Sequence, residues 1–143
     1  MRAVTREEVD EVYPIVASTI ADALGRDAGE VRRESLLIED LGAESIDFLD
    51  IVFRLERAFH IKIPRGQIEK EARGGLADAE FEQKGVLTGE ALARLREYLC
   101  EVPADRFRPG LKLTELPLLF TVETFCKVVV RARGDGRPPA ARD

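Results

Sequence analysis

The stretch from Leu41 to Pro64, LGAESIDFLDIVFRLERAFHIKIP, admits little besides a tight turn feeding an amphipathic helix. Gly42 permits a close turn, Ser45 offers a hydroxyl as a helix cap, and Asp47 places a carboxylate in the first turn, where the helix dipole favours it. At 100° per residue, Phe48, Ile51, Val52, Leu55 and Phe59 share one face, which the periodicity assigns to a core. The opposite stripe, Ile46, Asp50, Phe53 and Arg57 with Asp47 and Arg54 beside it, carries two apolar side chains where water is expected. Ile46 and Phe53 are either ordinary exposed residues or part of a partner-binding face.

The other elements arrange themselves around this helix. Thr5 to Glu8 has the form of a capping box, and Val9, Val12, Val16, Ile20, Ala23 and Leu24 recur at helical steps up to Gly25. Pro14 should bend that first helix or shift its start. Residues 26–44 form a long connection anchored at Leu36, Leu37, Ile38 and Leu41, and they lead directly into Ser45. Near the far end, Thr121 caps a last helix with Val122, Phe125, Cys126 and Val129 on one side.

With this spacing on the page, Leu41-Gly42-Ala43-Glu44-Ser45-Ile46-Asp47, the periodic helix after it and Phe59-x-Ile61-x-Ile63-Pro64 resemble the acyl carrier proteins. The resemblance implies an all-α, four-helix bundle, with its short third helix through Ile68 and Lys70. It also implies that Glu44, Ser45 and Ile46 match the family's Asp-Ser-Leu motif, whose serine receives 4′-phosphopantetheine as a covalent cofactor ending in a thiol. On that basis the chain is a carrier of acyl thioesters and not an enzyme. It serves a specialised fatty-acid, lipid or polyketide-type pathway. The expected partners are a phosphopantetheinyl transferase and acyl-handling enzymes such as ketosynthases or acyltransferases. By the same matching, Glu44, Ile46, Asp47, Asp50, Phe53 and Glu56 form the partner-facing surface, whereas Arg54 and Arg57 depart from its acidic character. A helical interaction module without a prosthetic group, in which Ser45 is merely a cap, is the alternative reading.

The chief departure from the family is an insertion, about 71–118, between helices III and IV. Residues 71–86 read as a loop or a weak helix around 77–84. Thr88 then opens a helix with Ala91, Leu92, Leu95 and Leu99 on one face, a stripe that must dock. Val102 to Pro117, with three prolines, reads as an extended return. The inserted helix is expected beside the interior where the family holds its acyl chain, as part of one domain spanning 1–133. The tail 134–143 lacks apolar periodicity and reads as disordered.

Composition narrows the function classes. A net charge of −5 argues against a nucleic-acid binder, and the six acidic residues between Glu34 and Phe53, with no Lys or Arg among them, suit basic protein partners. No apolar run is long enough for a membrane span. A cytoplasmic monomer is expected, with Cys100 and Cys126 as small buried hydrophobes and His60 as a helix-end residue.

Overall fold

The computed structural model describes residues 4–64 and 66–136, with side chains through residue 133. The expected all-α bundle is present: α1 (Arg6–Leu24), α2 (Ser45–Phe59), α3 (Gln67–Arg73) and the final helix surround one buried apolar cluster. Thr5 caps α1 through the amide of Glu8 at 3.1 Å while the Glu8 carboxylate accepts from the Thr5 amide at 3.0 Å. Helix α1 runs as one helix from Arg6 to Leu24 with Pro14 inside it. Pro14 is exposed, so its missing donor falls on the wet side, and Val9, Val12, Val16 and Ile20 hold the opposite side in the core. Helix α1 ends at Gly25, which takes a left-handed conformation with φ 68°.

The connection before α2 is stitched to the start of the final helix. The Leu37 amide donates to the Phe120 carbonyl at 3.0 Å, the Val122 amide donates to the Ser35 carbonyl at 3.0 Å, and Leu36 forms an antiparallel bridge with Thr121. Asp40 accepts from the Leu36 amide at 2.8 Å and Arg26 Nε donates to the Leu41 carbonyl at 3.1 Å, so the loop is held at both sides. Gly42 sits at φ 76°; a Cβ there would meet only Arg26 at 3.6 Å, so the backbone angle, and not crowding, is what requires glycine.

The inserted region is more ordered than its sequence suggested. After α3 come a single turn, α4 (Asp78–Phe81), and a hairpin of β1 (Glu82–Gln83) with β2 (Val86–Leu87). Lys84 and Gly85 both have positive φ, at 54° and 83°, which is the two-residue turn geometry that closes such hairpins. Helix α5 (Gly89–Tyr98) is capped by Thr88, which accepts from the Ala91 amide at 3.1 Å. It packs on α3, and its Ala91, Leu92, Leu95 and the following Leu99 join the common core.

The return between Val102 and Pro117 is not extended. It contains 3₁₀ turns at Ala104–Arg106 and Leu113–Leu119, the second enclosing Pro117, because the fixed φ of proline fits a tight turn as readily as an extended chain. Its Leu113 amide donates to the Gly85 carbonyl at 2.8 Å, tying the return to the hairpin. Thr121 accepts from the Thr124 amide at 3.1 Å and opens α6 (Val122–Gly136), which packs along α1. Helix α6 therefore continues past the expected break at Gly134, and the rest of the tail lies outside the described residues. Cys126 is buried as expected, but Cys100 is exposed, since α5 stops at Tyr98 and Cys100 leaves the periodic face. His60 is the left-handed residue ending α2, at φ 55°.

Between the insertion and α6 lies a buried ion pair. Lys127 Nζ donates to Glu101 Oε1 at 2.9 Å and to Cys100 Sγ at 3.3 Å, and the Thr124 hydroxyl donates to the other Glu101 oxygen at 2.6 Å. The carboxylate holds the Lys127 ammonium above its ordinary value, overcoming the opposing effect of burial.

Candidate functional site

Ser45 is the first residue of α2, and Glu44 is the N-cap. This corrects the expectation that Ser45 caps the helix. The reason is local: the Asp47 carboxylate accepts from the Glu44 amide at 2.8 Å, which closes the helix start without a serine hydroxyl. The Ser45 side chain is exposed, and among the described residues nothing hydrogen-bonds to its hydroxyl. It stands on the rim of an apolar cavity of 390 Å³. Phe48, Phe120 and Phe125, with ring centroids 6.0 Å apart in each pair, form its aromatic wall. Ile63 and Ile68 close the α3 side.

The insertion supplies the remaining wall, through Leu113, Leu116 and Pro117 of the 3₁₀ segment. Helix α5, expected to cover this interior, contributes no lining residue because it docks on α3 instead. These 3₁₀ residues were missed in the sequence: Leu113, Leu116, Pro117 and Phe120 recur at steps of three and four, a helical signal, but the prolines at 103, 109 and 117 made the segment read as extended.

The outward stripe of α2 is exposed, with Ile46 at 72%, Phe53 at 49% and Leu49 at 37% relative accessibility, so three apolar side chains share a wet face. Glu44 and Asp47 flank its start. Asp50 is answered by Arg54 at 3.1 Å, and Glu39 by both terminal nitrogens of Arg106 at 2.7 and 2.8 Å. The Arg106 guanidinium holds the Glu39 carboxyl below its usual range. Acidity is thus concentrated at the Ser45 end of the stripe. Glu56 lies apart from that cluster: its carboxylate accepts from the Ile63 amide at 2.7 Å and fixes the chain leaving α2.

A phosphopantetheine attachment site model matches residues 14–73, which run from within α1 to the end of α3. An acyl carrier protein of Clostridium acetobutylicum is 42% identical over 64 residues, covering 45% of this chain and 83% of that protein. An acyl carrier protein of Thermotoga maritima is 36% identical over 75 residues, covering 52% of this chain and 93% of its own. Acyl carrier protein AcpXL of Brucella melitensis is 45% identical over 72 residues, covering 50% of this chain and 77% of its own. No solved structure gives a significant match. A helical bundle with an exposed serine at a helix start and an apolar cavity beside it is the architecture of a carrier, and the chain belongs to the acyl carrier protein family. Its cofactor is phosphopantetheine, and like its relatives it is a carrier and not an enzyme. A phosphopantetheinyl transferase and acyl-handling enzymes are its partners as a member of that family. Among the described residues no helix is long and apolar enough to cross a membrane.

Proposed function

We propose that Ser45 bears the phosphopantetheine arm and that the chain carries acyl groups for a specialised fatty-acid, lipid or polyketide-type pathway. The observation that supports this most directly is the uncommitted Ser45 hydroxyl at the rim of the apolar cavity. The residues fit the group. The first turn of α2 offers unpaired amides and a positive dipole end to a phosphodiester, and the cavity walls offer an apolar lodging to a chain returning from the arm. When attached, the arm supplies the thiol on which acyl groups ride as thioesters. The protein's part is to display Ser45, exclude water from the cavity, and present Glu44, Ile46, Asp47, Asp50 and Phe53 to partner enzymes. Intact-mass measurement after co-expression with a phosphopantetheinyl transferase tests the assignment; no added mass would overturn it.

Segment 71–118 belongs, in this reading, to the carrier domain as a wall-forming insertion, and the protein acts as a cytoplasmic monomer. Two free cysteines fit a reducing compartment. Filling the cavity with Leu116→Trp should shorten the acyl chain that the loaded protein shields. Each methylene driven out loses about 0.8 kcal/mol, roughly fourfold in occupancy, so thioester hydrolysis of longer chains should accelerate stepwise with length. Equal hydrolysis of long chains in both proteins would sink the wall assignment.

The mixed charge of the α2 stripe points to dedicated enzymes. Arg54 and Arg57 oppose a basic docking patch, whereas Glu44 and Asp47 attract one. Association with the correct partner should therefore slow as salt rises. The chain should also turn over poorly with a general fatty-acid elongation set, and turnover equal to that of an ordinary carrier would count against dedicated partners.

A further inference from the structure

A second cavity, of 630 Å³, opens at the far end of α2 and has no counterpart in the sequence reading. Phe59, Ile61, Ile63 and Val128 make its apolar side, and His60, Lys62, Arg131 and Arg133 bring nitrogen donors to it. The volume is in the range of small-molecule sites, roughly 300–1,000 Å³. Arg131 is the informative residue. Its guanidinium lies 4.4 Å from the centre of the Tyr98 ring, and its Nε is buried with no hydrogen-bond partner among the described residues. A buried donor left unpaired is costly, and a charged one more so, unless an acceptor is supplied from outside.

The acid in the cavity does not answer it. Glu71 accepts from the Tyr98 hydroxyl of α5 on one oxygen and from the Gln67 side-chain amide within α3 on the other. Among the described residues, Arg133 has a long contact of 3.8 Å to Glu11 and lies over the Phe59 ring at 5.8 Å. The lining is therefore cationic at one side and apolar at the other. That combination selects a ligand with an anionic end and a hydrocarbon body.

The position of the cavity narrows the ligand further. Helices α2 and α6 lie alongside each other in the same sense, with Phe48 meeting Phe125 at one end and Phe59 meeting Arg133 at the other. The cavity at Ser45 occupies the first end of that groove and the cationic cavity the second. Ile63, Pro64 and Val128 line both. An apolar chain lying along the groove would pass from one to the other at Val128.

We propose that this second cavity is a binding site for a carboxylate at the end of an apolar chain, with Arg131 Nε as the donor that fixes it. Two sources share that chemistry: the far end of an acyl group carried on the Ser45 arm, which rests on the function proposed above, and a free fatty acid, which does not. The experiment separates them by following the Arg131 Nε–Hε resonance of the full chain. In the first arm, Ser45→Ala protein is titrated with decanoate and, as the uncharged comparison, methyl decanoate. In the second, holo-protein is loaded with acyl groups of equal length ending in a methyl or in a carboxylate.

Decanoate, but not its ester, should shift the Arg131 signal saturably, or the carboxylate-ended load should shift it where the methyl-ended load does not. A response in either arm supports the site and identifies its source. Arg131→Met should weaken decanoate binding by about tenfold or more, as loss of a charge-assisted hydrogen bond requires. Arg131→Lys, which keeps the charge but lacks Nε, serves if the first variant folds poorly and should also bind more weakly. An Arg131 signal unmoved by decanoate and by the carboxylate-ended load overturns the proposal. Failure to load Ser45 would overturn the carrier assignment alone, since the decanoate arm does not need it.

Discussion

Ser45→Ala should yield a protein that folds as before and gains no mass from a phosphopantetheinyl transferase. The two halves of this expectation have separate causes. Stability is spared because the N-cap is Glu44 and the helix start is closed by the Asp47 carboxylate on the Glu44 amide, so no cap is lost with the hydroxyl. An exposed substitution of this kind changes stability by about 0.5 kcal/mol or less, and alanine is the better helix former at that position. Loading should be lost because, in the function proposed above, the Ser45 hydroxyl is the nucleophile. Ser18 is exposed on α1 and Ser35 is buried, so neither duplicates the setting at the mouth of the apolar cavity. Thermal unfolding beside intact mass reads both halves. Added mass persisting in the variant would remove Ser45 from the site, and a large loss of stability would show that its hydroxyl has a structural bond.

Glu101→Ala should be among the most damaging single changes in the chain. The side chains of Glu101 and Lys127 are only 3% and 9% exposed, so truncating the carboxylate strands an ammonium, and the Thr124 hydroxyl loses its acceptor with it. Breaking a buried pair from one side costs about 3–5 kcal/mol, a large part of the stability of a domain this size. Replacing both partners, as Glu101→Leu with Lys127→Met, should recover most of the loss, because the cost lies in the orphaned charge and not in the absence of attraction. Denaturant titration of the single and double variants measures the difference. Equal losses in both would mean that the pair is not what holds this region. The folded-state ammonium is held above its ordinary value, so its contribution is fully present below the unfolded lysine range and is lost as pH rises through the folded value. Cys126 adds to alkaline sensitivity in the same sense, since burial pushes its thiol from 9.0 up to about 12.

The legible part of this protein was the part whose signals are local. Helix α2 could be placed from Ser45 to Phe59 because one period and one turn mark it, and Thr5, Thr88 and Thr121 each announced a helix that the structure contains. The capping role was misassigned because Ser45, Glu44 and Asp47 can all close a helix start, and only the geometry shows which of them does. The hairpin was missed because Lys84-Gly85 is a weak turn signal and its strands are two residues long, too short for alternation to register. What the insertion does at the site was illegible for a different reason. The amphipathic stripe of α5 said that it must dock but not where, and Leu113 to Pro117 acquire their role only when the hairpin, α2 and α6 bring a wall to them. Arg131, within an apolar run, gave no hint of a donor without a partner.

The bridge between Leu36 and Thr121 also sets an order of events. During synthesis the stretch that presents Ser45 emerges early, but the residues that pin it, Phe120, Thr121 and Val122, emerge only after the whole insertion has been made. Helix α1 can pack on α2 before then, but its packing along α6 comes last. Until then the serine belongs to a chain whose long-range pairings have not closed, and such pairings are the slow ones. If arm attachment at Ser45 requires those pairings, it should report that the start of α6 is in place.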